Sequence, residues 1–174
     1  MASLFGHALT AIAIGNGFIS KKKQLKFWLL GIFCAVFPDA DVISFKLGIP
    51  YASFWGHRGF THSVFFALLL GFIVTFLFYR NKKWGWYFTF FFLATLSHSL
   101  LDALTNGGLG VAFFSPFENS RYFFPWRPIQ VSPIGVENFF SQRGLRVIKS
   151  ELFYIAIPSF IFIGIAKIIK KLKK

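Results

Sequence analysis

The sequence has 174 residues, a length that suits one domain and is too short for two of ordinary size. Hydrophobic residues make up 55% of it and charged residues only 14%, against about 25% charged residues in average globular chains. Phenylalanine alone contributes 27 residues. This composition excludes a disordered chain and argues against an ordinary soluble domain, so it indicates an integral membrane protein.

Five apolar stretches follow one another along the chain, and each is predicted to form a helix. They cover residues 4–19, 25–37, 64–79, 84–104 and 152–169. A bilayer core of about 30 Å needs about 20 helical residues, a length that only the fourth stretch reaches unaided. The second stretch is short and contains Cys34, the single cysteine, which we expect to be a small buried side chain. We therefore predict an all-α fold, a single polytopic membrane helix bundle over residues 1–174 with about five transmembrane helices.

The net charge of +13 comes from nineteen lysines and arginines that cluster mainly between the apolar stretches. No nucleic-acid-binding motif accompanies this charge, so we predict no nucleic-acid partner. A five-helix threading puts twelve basic residues on one side of the membrane and seven on the other. The positive-inside rule then predicts a cell-membrane protein with its N-terminus outside and its C-terminus in the cytoplasm. The twelve are Lys21, Lys22, Lys23, Lys26, Arg80, Lys82, Lys83, Lys167, Lys170, Lys171, Lys173 and Lys174.

The two longest loops, residues 38–61 and 105–150, face the exterior in this threading. The second loop contains several prolines and a run of aromatic residues, so we expect no helix in its proline-rich part. We predict an irregular loop that lies across the outer end of the bundle. Lysines follow the first apolar stretch instead of preceding it, so a retained helix is expected there and not a cleaved signal peptide.

Seven ionisable residues lie in or beside the apolar stretches, among them all four histidines and three of the six acidic residues. They are His7, Asp39, Asp41, His57, His62, His98 and Asp102. Placing an aspartate near the centre of a bilayer costs roughly 2.5–3.5 kcal/mol of insertion free energy, so the presence of these residues indicates a functional role. With a rise of about 1.5 Å per residue, all of them except His57 fall in one layer roughly 8 Å thick near the outer end. The sequence therefore predicts that these side chains meet.

Local spacing supports a metal site. His98 and Asp102 are four residues apart and therefore project from one face of a helix. Asp39 and Asp41 follow Pro38, where the second helix is expected to stop.

His57 and His62 lie on either side of a transition from loop to helix, with Thr61 as the expected N-cap. Imidazole and carboxylate are preferred ligands of zinc and also bind manganese or iron. We predict one or two divalent ions, with zinc first and manganese second, held by the seven residues. Some of the seven would orient the ligands instead of contacting the ion.

The motifs that carry these residues resemble the YdjM-type family of membrane-bound metal-dependent hydrolases, which is distantly similar to zinc phospholipase C. They are His7 near the N-terminus, Pro-Asp-x-Asp at 38–41, His-Arg-Gly-x-Thr-His-Ser at 57–63 and Ser-His-x-x-x-Asp at 97–102. The resemblance covers roughly the first two-thirds of the chain. It implies a membrane-bound enzyme with a bound divalent metal.

The chemistry expected of such a site is hydrolysis of a phosphoester, on a lipid or lipid-linked substrate at the outer membrane face. A bound metal lowers the pKa of water, and a carboxylate can take its proton. We expect Asp41 to be this base, with Asp39 second. Arg58 could pair with a phosphate through its planar guanidinium, and Arg121 and Arg127 are weaker candidates for binding substrate.

Two other functions compete with hydrolysis. A metal-ion or proton-coupled transporter would need polar residues that continue toward the cytoplasmic end, where the chain offers mainly single residues such as Thr75, Thr89 and Asn16. A non-catalytic membrane regulator would hold a structural metal in a saturated coordination shell. Intramembrane zinc proteolysis is disfavoured because the chain has no His-Glu-x-x-His motif.

Overall fold

The computed structural model describes residues 1–18, 24–80, 83–133 and 136–172. Half of the twelve basic residues assigned to the cytoplasmic side lie outside the described residues, namely Lys21, Lys22, Lys23, Lys82, Lys173 and Lys174.

Throughout the described part of the chain the regular structure is helical, without a β-strand, which confirms the predicted all-α fold. The helices are α1 (Leu4–Phe18), α2 (Leu25–Val36), α3 (Ile43–Lys46), α4 (Val64–Phe78), α5 (Trp84–Ala103), α6 (Val136–Phe139), α7 (Gln142–Glu151) and α8 (Ile157–Leu172). Two isolated β-bridges, Thr105 with Ile129 and Val111 with Tyr122, brace the segment between α5 and α6. As predicted, no helix forms within residues 105–133.

The second helix is longer than the sequence predicts. Its α-helical part ends at Val36, but the chain continues as a 3₁₀ turn over Phe37–Val42 and then as α3. Pro38 is accommodated because it stands at the start of the 3₁₀ turn, where a missing N–H is tolerated. The α-helix thus ends just before Pro38, as predicted, but the helical run as a whole, Leu25–Lys46, has 22 residues and is longer than expected.

The last helical run also begins earlier than predicted. Ser141 caps α7 by accepting a hydrogen bond from the Gly144 N–H, and a π-helical turn at Leu152–Ala156 joins α7 to α8. Basic residues are interspersed with apolar ones along α7, so no continuous apolar stretch distinguishes this segment from the predicted loop 105–150. That loop is correspondingly shorter than expected.

Two helical runs are long and apolar enough to cross a membrane, Leu25–Lys46 and Gln142–Leu172. Helices α1 and α4 are apolar but shorter, so the predicted number of about five spans is not confirmed. Large apolar side chains such as Phe72 on α4 and Ile161 on α8 are exposed on the outside of the bundle. An exposed apolar surface of this extent fits contact with lipid chains.

Helix α5 lies at the centre of the bundle, packed against α1, α2 and α4. The core beneath the ionisable residues is built from apolar side chains that include Phe27, Phe90 and Phe91. A Cβ atom at Gly71 would lie 2.8 Å from the Phe92 nitrogen, so glycine is what lets α4 and α5 approach this closely. Cys34 is a buried free cysteine in the same core, as predicted.

The helices alternate in direction, so that one end of the bundle collects the polar residues. His7 near the start of α1 lies close to Asp102 at the end of α5, and His98 contacts the backbone near the end of α2. At the other end, the ammonium group of Lys26 lies over the Phe78 ring, 4.4 Å from its centroid. The described basic residues that flank these helices thus stand opposite the ionisable cluster.

Candidate metal centre

Four side chains from separate segments point donor atoms at one another. They are Asp39 in the 3₁₀ turn, His62 just before α4, and His98 and Asp102 on α5. The Nε2 atoms of His62 and His98 are 3.0 Å apart, and Asp39 Oδ1 lies 3.7 Å from the first and 3.3 Å from the second. Asp102 Oδ2 lies 3.6 Å from His62 Nε2 and 4.0 Å from His98 Nε2.

These separations match those of a coordination shell. In a tetrahedron around an ion with ligands at about 2.0–2.1 Å, the ligand atoms are about 3.3–3.4 Å apart. The donor-to-donor distances in the structure scatter around this value, from 3.0 to 4.0 Å. The four groups are close enough to hold a metal ion with small adjustments of their side chains.

The hydrogen bonds of the two histidines place a proton on Nδ1, the ring nitrogen that points away from the centre. His98 Nδ1 is 2.7 Å from the Ala35 carbonyl oxygen, which can only accept, so this nitrogen carries the hydrogen. The Thr61 hydroxyl donates to Asp41 at 2.6 Å, so its oxygen accepts from His62 Nδ1 at 3.1 Å. When both rings are neutral, as metal ligation requires, their Nε2 atoms present lone pairs to each other, an arrangement that a cation stabilises.

The carboxylates show the same need for a cation. Asp39 Oδ1 is buried and has no hydrogen-bond donor, and Asp102 Oδ2 is buried with only the Arg58 guanidinium as an ionic partner, 3.0 Å away. An unpaired buried carboxylate oxygen is costly, and two carboxylates at one centre repel each other as well. A divalent ion would satisfy both oxygens and both nitrogens, so the donor set fits the predicted metal.

Asp41 lies behind His62 and not at the centre. One of its oxygens is 2.6 Å from His57 Nδ1. The other accepts from the Arg58 N–H at 3.1 Å and from the Thr61 hydroxyl, and lies 3.1 Å from His62 Nδ1. With both oxygens engaged, Asp41 orients the two histidines.

Thr61 is not the N-cap that the sequence predicts. The cap of α4 is Ser63, whose side chain accepts a hydrogen bond of 3.0 Å from the Phe66 N–H. The Thr61 hydroxyl instead joins Asp41 to His62.

His57 and His7 border the centre on opposite sides. Burial lowers the pKa of the His57 imidazole, while its hydrogen bond to Asp41 opposes that shift. His7 is fully buried and stacks on His98, with the ring centroids 3.8 Å apart. Its Nε2 lies 3.5 Å from Asp102 Oδ1, which also accepts a hydrogen bond from the Ala2 N–H at 2.8 Å. All seven predicted residues thus form one connected cluster, in which four surround a common point.

Arg58 is fully buried, and its guanidinium is already engaged. Its Nε lies 3.0 Å from Asp102 Oδ2, while its two Nη atoms donate to the Gly107 carbonyl and the Thr105 hydroxyl. Arg58 also has a φ of 62°, a left-handed conformation that is rare for a residue other than glycine. The guanidinium therefore supports Asp102, and it is not the free phosphate fork that the sequence suggested.

Gly108 allows this placement of Arg58. It has a φ of 88°, and a Cβ atom there would lie 2.8 Å from Arg58 Nη1. Only glycine combines that backbone conformation with so close an approach.

The other two predicted substrate-binding arginines differ in their surroundings. Arg121 donates to the carbonyl groups of His57, Tyr51 and Ser53, so it braces the loop before α4. Arg127 is exposed and lies over the Phe123 ring, 4.7 Å from its centroid.

Glu151 is a buried acidic residue that the sequence analysis did not assign to the site. It accepts hydrogen bonds from the Ser3 N–H and from the Ser3 hydroxyl, each 2.5 Å long. These bonds attach the end of α7 to the start of α1, next to the Ala2 contact with Asp102. An acidic residue at the edge of the last apolar stretch was the signal that could have revealed it.

The chain is similar to inner membrane proteins over nearly its full length. The model of the family described as YdjM inner membrane protein matches residues 1–172, well beyond the motifs quoted above. Inner membrane protein YbcI of Escherichia coli (strain K12) is 39% identical over 166 residues, which cover 94% of this chain and 96% of that protein. No solved structure matches the chain. With nearly its full length matched by the family model, this chain belongs to the YdjM family of inner membrane proteins.

Proposed function

We propose that this protein is a metal-dependent hydrolase that cleaves a phosphoester of a lipid or lipid-linked substrate at the outer face of the cytoplasmic membrane. The observation that carries the proposal is the set of four donor groups around one point, among them the buried Asp39 Oδ1, which has no hydrogen-bond donor. Asp39, His62, His98 and Asp102 would hold the ion. Zinc suits this donor set, and manganese is the second choice.

The charges around the centre favour an anionic substrate. The carboxylates of Asp39 and Asp102 cancel the two charges of a divalent ion. Of the charged groups around them, the Arg58 guanidinium and the Met1 amino group outweigh the Asp41 carboxylate by one positive charge. A phosphate group is attracted to such a site, most strongly where water is largely excluded. When bound, the metal ion supplies Lewis acidity, which activates water near neutral pH and polarises a phosphoryl oxygen.

Asp39 is the better candidate for the proton acceptor. The sequence favoured Asp41, but both oxygens of Asp41 are held by hydrogen bonds to backbone and side-chain donors. The side chain of Asp39 is 10% exposed, whereas the side chains of the other three donors are fully buried. Asp39 is therefore the donor that water reaches, and one of its oxygens can take a proton while the other faces the centre.

One ion suffices for this arrangement. Asp41, His57 and His62 form a second group of potential ligands. Because Asp41 already accepts from the Thr61 hydroxyl and the Arg58 N–H, we assign this second group to orienting His62.

A membrane regulator with a structural metal is the second candidate. It is favoured by the complete set of protein ligands at the centre. Four protein donors complete a tetrahedral zinc shell, whereas catalytic zinc usually keeps one position for water. Arg58 also stands between Asp102 and the nearest cavity. A transporter gains no such support, because Asn16, Thr75 and Thr89 hydrogen-bond to carbonyl groups of their own helices.

The topology belongs to the same proposal. We place residues 1–174 in one membrane-embedded domain, with the N-terminus and the metal centre on the outer side and the C-terminus in the cytoplasm. Reporter fusions after residue 48 and at the C-terminus test this placement. Activity of a periplasm-specific reporter at the C-terminus would reverse it.

Metal analysis and hydrolysis, measured on the same detergent-purified protein, test the function. With Zn²⁺ or Mn²⁺ restored after chelation, we expect about one ion per chain and cleavage of phosphatidic acid. The His98→Ala variant should lose both, while the neighbouring Ser97→Ala variant, which removes only a hydrogen bond to the Ala94 carbonyl, should keep both. Bound metal without turnover of any lipid phosphate would support the structural role, and a protein that binds no metal would reject both candidates.

A further inference from the structure

A polar cavity opens beside the metal centre. It has a volume of about 470 Å³ and reaches His57 and Arg58, the residues that contact Asp41 and Asp102. Its other end is formed by Ser141 and Arg143 at the start of α7. We call it the polar chamber.

An apolar groove continues from this chamber between α1 and the last helical run. Its first part, about 360 Å³, shares Met1, Ser132 and Pro133 with the polar chamber. Its second part, about 310 Å³, shares Phe5 and Phe139 with the first.

The second part of the groove extends along α1, α7 and the π-helical turn Leu152–Ala156. Leu9, Ile148 and Leu152 line it. The groove and the polar chamber are therefore continuous. The groove is apolar, whereas the chamber carries arginine, histidine and hydroxyl groups.

Helix α7 places the junction of chamber and groove at a membrane surface. Arg143, Arg146 and Lys149 recur every three residues, while Leu145 and Ile148 lie between them, and all five are exposed. Helices with a basic face and an apolar face lie in the headgroup region and attract anionic lipids. The apolar groove then opens at the depth of the lipid chains.

We infer that the polar chamber and apolar groove together bind one anionic phospholipid, which enters sideways from the bilayer between α1 and α7. Its phosphate lies in the chamber, near Arg143 and the wall formed by His57 and Arg58, and an acyl chain lies in the groove. This inference rests on the proposed hydrolysis only for the fate of the lipid, since binding requires no turnover. The acyl chain and the phosphate headgroup contribute separately to the affinity for the lipid.

Lipid binding can be measured on the metal-free protein by native mass spectrometry, where no hydrolysis interferes. The probes are dioleoyl phosphatidic acid, dioleoylglycerol and glycerol 3-phosphate, which carry both parts, only the chains and only the phosphate. We expect phosphatidic acid to bind at least about tenfold more tightly than either of the others, since both parts contribute. Equal binding of glycerol 3-phosphate would point to a free phosphate ester as ligand, and equal binding of dioleoylglycerol would exclude a role for the chamber.

Substitutions on the groove test where the chain lies. Ile148→Trp fills the groove from a residue that is 48% exposed, so the fold should tolerate it, and Ala156→Phe fills it from further along the same helical run. Each should weaken phosphatidic acid binding about tenfold, because excluding two methylene groups from the groove forfeits about that factor. Ile161→Trp, at a residue that is 57% exposed on the lipid-facing side of α8, is the matched control.

Arg143→Gln should weaken binding of phosphatidic acid without changing that of dioleoylglycerol. If Ile148→Trp and Ala156→Phe bind phosphatidic acid as tightly as Ile161→Trp does, the acyl chain does not lie in the groove. The two proposals fail separately in this design. Phosphatidic acid that binds in the groove but is never cleaved would reject hydrolysis alone. Lipid cleavage by Ile148→Trp at the control rate would reject the groove alone.

Discussion

Asparagine in place of Asp41 separates a residue that orients the metal ligands from one that binds the ion. Asp41 receives hydrogen bonds from Thr61, Arg58 and His57, and it touches His62 only at the nitrogen that faces away from the centre. An asparagine of the same shape keeps one accepting oxygen. Because one carboxylate oxygen serves most of these donors, we expect the amide oxygen to take that position and its NH₂ group to face His57.

The magnitude follows from this geometry. Removing a partner that orients a metal-bound histidine typically costs 10- to 100-fold in metal affinity, or about 1.4–2.7 kcal/mol. Since asparagine retains the hydrogen bond on the His62 side, the loss should lie near the lower limit. Asp39→Asn, which removes charge from the centre itself, should lose considerably more.

Competition with a chromogenic chelator gives the Zn²⁺ affinity of each purified variant. Glu118→Gln is the matched control, since this exposed acidic residue lies outside the ionisable cluster and its side chain accepts a hydrogen bond from the Tyr122 hydroxyl. A loss in Asp41→Asn as large as that in Asp39→Asn would mean that Asp41 binds the ion directly. An affinity equal to that of Glu118→Gln would mean that the hydrogen bonds of Asp41 do not orient His62.

Three further outcomes are expected. Gly108→Ala should displace the Arg58 guanidinium and destabilise the protein by at least about 1–2 kcal/mol from backbone strain alone. Gly85→Ala, where a new Cβ meets nothing within 4 Å, should not destabilise it. Equal melting temperatures of the two variants would contradict this expectation. Glu151→Ala should cost about 2–3 kcal/mol because it strands a buried N–H at the start of α1, while the exposed Glu118→Ala should leave unfolding unchanged. Chelation should lower the melting temperature, and Zn²⁺ at about 100 times its dissociation constant should restore about 2.7 kcal/mol; a melting temperature insensitive to both would argue against a bound ion.

The helical part of the site could be predicted because its geometry follows from sequence distance. A constant rise per residue sets the depth of each side chain on a helix, so His7, His98 and Asp102 could be placed in one layer without knowing how the helices pack. The structure brings these three into contact. Their spacing also predicted that His98 and Asp102 share a face of α5.

The roles of Asp39 and Asp41 could not be separated from the sequence. In a 3₁₀ turn, residues two apart point in different directions, so Asp39 faces His98 while Asp41 faces His57. The sequence suggested only that a helix stops there. Likewise, the left-handed backbone that turns Arg58 toward Asp102 depends on the folded loop and has no signature in the order of residue types.

The contacts of Asp102 join the metal centre to the proposed lipid groove. One of its oxygens faces the centre, and the other accepts the Ala2 N–H at the start of α1. The next residue, Ser3, is held by Glu151, which lines the groove together with Leu9. An ion that draws Asp102 toward the centre therefore acts on the same helix end that forms one wall of the groove. Because a single carboxylate serves both positions, metal binding and the packing of α1 against α7 should stabilise each other.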